Sequence, residues 1–257
     1  MPSEAQRKIE YLSPPAPVSM GDQWFEIASI DHFWIQRRFR VLQSLAGQML
    51  TSSKRVAEFG CGHGLLQRQF EAALHRDVSG FDLNEIALRQ NVSKTSGVFC
   101  YDIFQENGEL AQAFDLILLF DVLEHISAEK DFLLALLYHL SPAGKLIINV
   151  PAGHWAFSEY DVAAGHVRRY DITTLRSAAS QAGLRVTKWT YWGLPLMPAL
   201  VARKALLALQ RNKENIISSG FDSRSNLVNS LMATLAACEF IPQHLAGTSL
   251  MAILERA

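Results

Sequence analysis

The sequence predicts an α/β fold, a mostly parallel sheet with helices on both faces, and three observations predict it. From Lys54 onward, short stretches rich in β-branched and aromatic residues alternate with amphipathic stretches of helical spacing. That is the rhythm of strand–helix–strand units. The run "FDLILLF", residues 114–120, is apolar almost throughout, as a central strand covered on both sides requires. Gly60, Gly62 and Gly64 stand at alternate positions where a strand gives way to a helix. Neither a strand interior nor a helix interior favours glycine, so something must approach the backbone closely there.

The elements follow in order. Residues 1–22 are polar and proline-rich and read as a flexible arm, with no apolar core of a signal peptide. Residues 23–257 read as one domain. Apolar spacing from Trp24 to Met49 predicts one or two helices. "KRVAEFG" is a strand and "LLQRQFEAAL" a helix; "DVSGFDL" is a short strand, and "NEIALRQNVSK" a helix with Asn84 as N-cap. "GVFCYDI" and "FDLILLFDVL" are strands. "AEKDFLLALLYHL" is a helix with Ser127 as a candidate cap, and "SPAGKLIINVP" is a turn and a strand. A polar, aromatic-rich loop runs from Ala152 to Tyr170. A helix over Thr173–Ala182, the strand "GLRVTKWTYW", a helical insertion over about 194–245 and a last strand "GTSLMAILER" complete the chain.

Bulk composition narrows the function classes. The 257 residues are 49% hydrophobic and 19% charged, enough to bury a sizeable core, and the net charge of −1 supplies no field for nucleic acid. Cys61, Cys100 and Cys238 are far apart and odd in number. They make neither a zinc spacing nor a disulfide framework, which suits a reducing, cytoplasmic setting. No run is long and apolar enough to span a bilayer; the nearest, "LPLMPALVARKALLALQ", is interrupted by Arg203 and Lys204.

The glycine turn exposes backbone N–H groups at a helix N-terminus, a surface for a polar group pressed against the chain. A dinucleotide site wants G-x-G-x-x-G. Here the third glycine comes one residue early, and Glu58 stands just before the first. A carboxylate there repels a pyrophosphate and attracts an ammonium. Asp82, ending the next strand, is placed to take ribose hydroxyls. Asp102, ending the third, could accept from an adenine amino group while Ile103 packs on the ring. Asp121 stands where the fourth strand meets its loop.

These four elements, in this order, resemble class I S-adenosylmethionine-dependent methyltransferases, closely over about residues 54 to 152. The resemblance implies a Rossmann-like, seven-stranded, mostly parallel sheet with an antiparallel last strand, and S-adenosyl-L-methionine as cofactor. It carries cofactor roles onto Glu58, Gly60, Gly62, Asp82 and Asp102, with Cys61, Leu83, Ile103 and Phe120 beside them. Cys61 and His63 fill variable positions of the turn and receive no chemical role. An aromatic-then-Arg helix before the first strand, "HFWIQRRF", is a lid candidate, with Arg37 or Arg38 reaching the cofactor carboxylate; an ordinary amphipathic helix explains it equally well.

The loop "PAGHWAFSEYDVAAGHVRRYD" leaves the same sheet edge. It resembles a bacterial methyltransferase subgroup with S-E-x-D…G-H-x-R-R-Y, which often acts on small molecules, sugars or lipid-linked intermediates. Tyr160 stands where that subgroup often has His, so His154 and His166 are the candidate bases. Asp161, His166, Arg168 and Arg169 could equally be a structural network. His125 reads as a cap of the following helix or as a residue packed near the cofactor. No metal is expected, since His154, Asp161 and His166 have no zinc-motif spacing. The helix over 195–213, with Arg203, Lys204, Arg211 and Lys213, reads as a roof over the acceptor or a homodimer contact. Its basic flank also admits a peripheral membrane contact. The leading expectation is a methyltransferase acting on O or N of a small metabolite, sugar or lipid-linked intermediate. The alternatives are a nicotinamide-dependent oxidoreductase and a non-catalytic binding protein.

Overall fold

The structure is a computed structural model and describes residues 9–18, 29–209 and 226–257. Eight strands form one sheet: β1 (Glu10–Tyr11), β2 (Val56–Phe59), β3 (Ser79–Asp82), β4 (Val98–Cys100), β5 (Phe114–Phe120), β6 (Leu140–Pro151), β7 (Leu184–Trp192) and β8 (Ser249–Arg256). Their order is β1-β4-β3-β2-β5-β6-β8-β7. The first six run parallel, and β8 lies antiparallel between β6 and β7. The helices are α1 (Phe33–Ser52), α2 (Leu65–Leu74), α3 (Glu85–Arg89), α4 (Glu129–His139), α5 (Glu159–Ala164), α6 (Ile172–Gln181), α7 (Met197–Leu209) and α8 (Asn226–Ala237). Among the described residues, no helix is long and apolar enough to cross a membrane.

The two-residue period of a strand divides the core. Leu116, Leu118 and Phe120 of β5 face α1 and α2, with Val56, Ile147, Met251 and Ile253. Ile117 and Leu119 face the other way, toward α4 and α6, with Phe59, Leu136, Ile148, Val150 and Leu254. The continuous apolar run is therefore explained by two buried faces. Each of these side chains contributes about 1.5–3 kcal/mol on burial.

Three sequence expectations change. The sheet has eight strands, not seven, because part of the segment read as a flexible arm supplies β1, paired with β4 at Glu10–Phe99 and Tyr11–Cys100. Two residues are too short for a periodicity signal; the strand is held by the edge of β4 and by the Tyr11 hydroxyl, which donates to Glu85 at 2.5 Å. The arm then crosses the strand ends: Leu12 and Ser13 N–H donate to Cys100 O, and Ala16 N–H to Leu83 O. Second, α1 starts at Phe33, with the His32 side chain accepting from Trp34 N–H; residues 24–28 lie outside the described residues. Third, Ala128 rather than Ser127 is the N-cap of α4, and the Ser127 carbonyl instead accepts from Arg168 at 3.1 Å.

Candidate active site

The ends of β2, β3, β5 and β6 open on one cavity of about 830 Å³. At one end is the glycine turn. Gly60, Gly62 and Gly64 all have positive φ, +77°, +52° and +79°, a region that strains residues with a Cβ. A Cβ on Gly60 would come within 2.3 Å of Val122. The turn is tied to β3: Gly60 and Cys61 N–H donate to Phe81 O, and Gly62 N–H donates to Asp82 Oδ2 at 2.7 Å. Asp82 Oδ1 accepts from Asn84 N–H at 2.8 Å. Burial pushes the Asp82 carboxyl up, opposed by these backbone donors.

Glu58 is 3% exposed, and its Oε2 has no hydrogen-bond partner among the described residues. Burial pushes it up to about 8, against the pull of Arg38 and with Asp82 and Asp121 adding to the rise. A buried acceptor of this kind is costly unless a donor arrives. The ammonium of an amino-acid moiety would supply charge and donors together. The turn without side chains, the orphaned Glu58 oxygen and the two-oxygen Asp82 therefore fit S-adenosylmethionine.

Behind the turn lies a support chain. Arg38, from α1, pairs with Asp121 Oδ2, and its guanidinium lies over Trp34 and Phe120 at 5.1 and 5.2 Å. Asn149 donates to Asp121 Oδ1 at 2.7 Å, and Trp192 Nε1 donates to Asn149 at 2.9 Å. Asp121 itself has φ +58°, a conformation that Asp tolerates better than most residues.

The other end of the cavity is lined by Glu124, His125, Tyr160, His166, Arg169 and Arg203. Asp161 is fully buried and accepts from His166 Nδ1 at 2.9 Å, Arg169 Nε at 2.7 Å and Ser158 N–H at 2.9 Å. Burial alone would raise its carboxyl. The His166 and Arg169 interactions outweigh that and hold it at about 2. An ionised Asp161 can only accept, so His166 Nδ1 is the donor in that bond. His125 Nδ1 lies 3.2 Å from Gly165 O, and its ring meets His166 edge to face at 4.8 Å. Burial, then the neighbouring His166, lowers His125 to about 4, so the ring is neutral. Glu124 is 1% exposed, with Oε2 unpartnered among the described residues and its carboxyl pushed well up by burial and by Asp121. The Arg203 guanidinium lies 4.0 Å over the Tyr160 ring. Leu196, Leu200, Leu207 and Met232 roof this end.

Of the sequence-named residues, Glu58, Gly60, Cys61, Gly62, Asp82, Leu83, Phe120 and His166 line the cavity. Asp102, Ile103, Arg37 and His154 are absent from its wall. Asp102 N–H donates to Ser13 Oγ at 2.7 Å, so the arm lies against that strand end, while Pro17 and Val18 reach the cavity instead. Ile103 belongs to the core. Arg37 binds the Glu239 carbonyl and carboxylate at 2.9 and 3.2 Å; one residue on, Arg38 faces the cavity. His154 is exposed beside Asp171 and Thr174, 3.5 and 3.4 Å away. Sequence reasoning gives Glu124 no place in the site and leaves His125 between a helix cap and a residue packed near the cofactor, although "LEH" follows closely on the acid that ends the fourth predicted strand. Of the expected basic flank, Arg203 turns to Tyr160 and Lys204 donates to Trp155 O; Arg211 and Lys213 lie outside the described residues.

A Rossmann-like sheet whose glycine turn, buried glutamate and strand-end aspartate share one cavity defines a class I S-adenosylmethionine-dependent methyltransferase. The methyltransferase-domain family model matches residues 5–188, and the chain belongs to that family. It is similar to the mitochondrial ubiquinone biosynthesis O-methyltransferase of Schizosaccharomyces pombe, 29% identical over 105 residues. That match spans 38% of this chain and 38% of the length of the relative. Among solved structures, a SAM-dependent methyltransferase from Archaeoglobus fulgidus aligns at TM-score 0.54 and 16% identity, covering 90% of this chain and 95% of that one. Phosphoethanolamine N-methyltransferase 2 of Haemonchus contortus, in complex with S-adenosyl-L-methionine, aligns at 0.54 and 18%, covering 87% and 52%. The cyclase SpnF aligns at 0.58 and 15%, covering 95% and 98%. At these identities the structural likeness is one of fold.

Proposed function

We propose that the chain transfers a methyl group from S-adenosylmethionine to an oxygen or nitrogen of a small acceptor that carries an apolar portion. The observation that carries this reading is the continuity of one cavity from Glu58, Gly62 and Asp82 to Glu124, His125 and His166. Bound there, the cofactor supplies an electrophilic methyl on a sulfonium. The chain's own residues then have to hold it, align a nucleophile, exclude water and dispose of a proton. Glu58 receives the ammonium, the glycine turn gives close backbone approach, and Asp82 takes the ribose hydroxyls. The Arg38–Asp121–Asn149–Trp192 chain fixes the floor. Leu196, Leu200, Leu207 and Met232 cover an apolar acceptor body, in keeping with a metabolite or lipid-linked intermediate. His166 offers Nε2 from a ring that Asp161 holds in one tautomer, the arrangement required of a general base.

Calorimetry with S-adenosylmethionine and a labelled-methyl acceptor screen test the reading. Asp82→Ala should weaken cofactor binding by about 1–3 kcal/mol through lost charged hydrogen bonds. His166→Ala should depress turnover while cofactor affinity stays unchanged. A chain that binds no S-adenosylmethionine, or an Asp82→Ala variant of full affinity, would overturn it.

A further inference from the structure

The acceptor end of the cavity holds more donor chemistry than a single base needs. Glu124, His125 and His166 offer one ligand atom each, all within 4.8 Å of one another. They come from two segments, the turn after β5 and the loop after α5, which backbone bonding brings together: Val167 N–H donates to Glu124 O at 2.8 Å. Three features distinguish the cluster from ordinary buried polar groups. Each imidazole has its Nδ1 engaged by an oxygen, Gly165 O for His125 and the Asp161 carboxylate for His166. Metal-ligating histidines show this pattern, because the outer acceptor fixes the tautomer and leaves Nε2 to coordinate. The Glu124 carboxylate, 1% exposed, keeps Oε2 without a partner among the described residues. Finally, two neighbouring cations already have carboxylate partners of their own, Arg38 in Asp121 and Arg169 in Asp161.

We propose that Glu124, His125 and His166 form a binding site for a first-row divalent cation, Zn²⁺ in the first instance. The inference rests on the methyltransferase reading only for its consequence, not for the site itself. Two imidazole nitrogens and one carboxylate oxygen suit zinc and its neighbours better than Mg²⁺ or Ca²⁺, which prefer all-oxygen shells. Three protein ligands leave a coordination position open toward the cavity, the pattern of catalytic rather than structural zinc. The His166 Nε2 to Glu124 Oε1 separation is 4.0 Å. Bonds of ~2.0–2.1 Å in a tetrahedron need about 3.3 Å between ligands, so side-chain movement within the cluster, whose ligand atoms lie within 4.8 Å of one another, has to draw them in on binding. An acceptor hydroxyl in the open position would lose its proton to solvent near neutral pH, as metal-bound water does. His166 then serves as a ligand rather than as the base.

The test uses the full chain, stripped with a chelator and dialysed. Zn²⁺ titration should give one site per chain, and Co²⁺ should give visible d–d bands of low-symmetry coordination. Glu124→Gln, His125→Ala and His166→Ala should each weaken Zn²⁺ by at least about tenfold, the lower bound for losing even an outer partner of a ligand, and abolish the bands. His154→Ala and Cys238→Ala, which alter exposed metal-binding side chains outside the cluster, should leave both unchanged. Circular dichroism and S-adenosylmethionine affinity control for folding. Absence of a stoichiometric site, or one unaffected by all three cluster variants, would overturn the proposal. So would methyl transfer at full rate in the stripped chain, for the catalytic consequence. S-adenosylmethionine calorimetry on the stripped chain separates the two claims. Cofactor binding without metal leaves the methyltransferase reading standing alone, and metal binding without the cofactor leaves the metal site standing alone.

Discussion

At the residue scale, the buried glutamate before the first glycine explains most about the cofactor end. Glu58 sits at about 8 in the folded chain, against 4.5 for an ordinary glutamate. Between those values the folded state holds a proton that the unfolded state has released. Stability from this group is therefore complete below about 4.5 and is lost as pH rises toward 8. His125 acts oppositely at lower pH. Lowered to about 4 from 6.5, it removes stability as pH falls through that interval. The Glu58 contribution is isolated by difference. Denaturant unfolding of the wild type and of Glu58→Gln, without ligand, should diverge between pH 6.5 and 8, with the wild type losing up to ~1.4 kcal/mol more per pH unit. Saturating S-adenosylmethionine should shrink the divergence, because its ammonium favours the ionised carboxylate. Parallel pH curves for the two proteins would mean that Glu58 is already ionised in the free chain.

At the element scale, the strand-to-helix joints set the site. Gly60 has φ +77°, and its missing Cβ leaves room for Val122, which follows β5. Gly60→Ala brings left-handed strain and a 2.3 Å clash at once. It should cost at least about 1 kcal/mol in stability and lose cofactor affinity, read by unfolding and by calorimetry. A fully stable, binding-competent Gly60→Ala would mean that the turn can relax without consequence. These joints are legible in the sequence because glycine, the preceding acid and the apolar strand are local signals. Asp82 is legible for the same reason. Asp102 lies off the cavity wall for a reason the sequence hides, since Ser13, which accepts from its N–H, comes from 89 positions away along the chain. Arg37 and Arg38 are not separable from sequence, because helical spacing says which residues are near a face, not which of two neighbours turns inward. The part played by Glu124 and His125 depends on the loop around Gly165 and His166, a long-range pairing with no sequence period. The eighth strand is hidden for the same physical reason: two residues gain strand geometry only from the edge they join.

At the scale of the whole molecule, the chain divides into a rigid base and a thinner roof. The base is the sheet, with β5 and β6 buried on both faces and almost every core side chain inaccessible. The roof is α7 and α8, which supply cavity-lining Leu200, Leu207 and Met232 yet expose Val201 and Leu231, which are not in the cavity wall, at 49% and 57%. Elements with little buried apolar area open at lower free energy than the global unfolding. Arg37, held by Glu239, and Phe33 N–H, held by Asn229 at 2.8 Å, tie the roof to α1. Arg203 over the Tyr160 ring and the Lys204 donation to Trp155 O tie α7 to the loop after β6 as well, so opening the roof to an acceptor has to release contacts on at least one of these sides. Hydrogen exchange should find the amides of α7 and α8 exchanging orders of magnitude faster than those of β5 and β6. Adding S-adenosylmethionine alone should protect chiefly the glycine turn and the end of β3. On the proposed function, in which the roof covers the acceptor's apolar body, protection of α7 and α8 should require the acceptor. If the cofactor alone protected both helices fully, closure would precede acceptor entry, and the acceptor would need another way in.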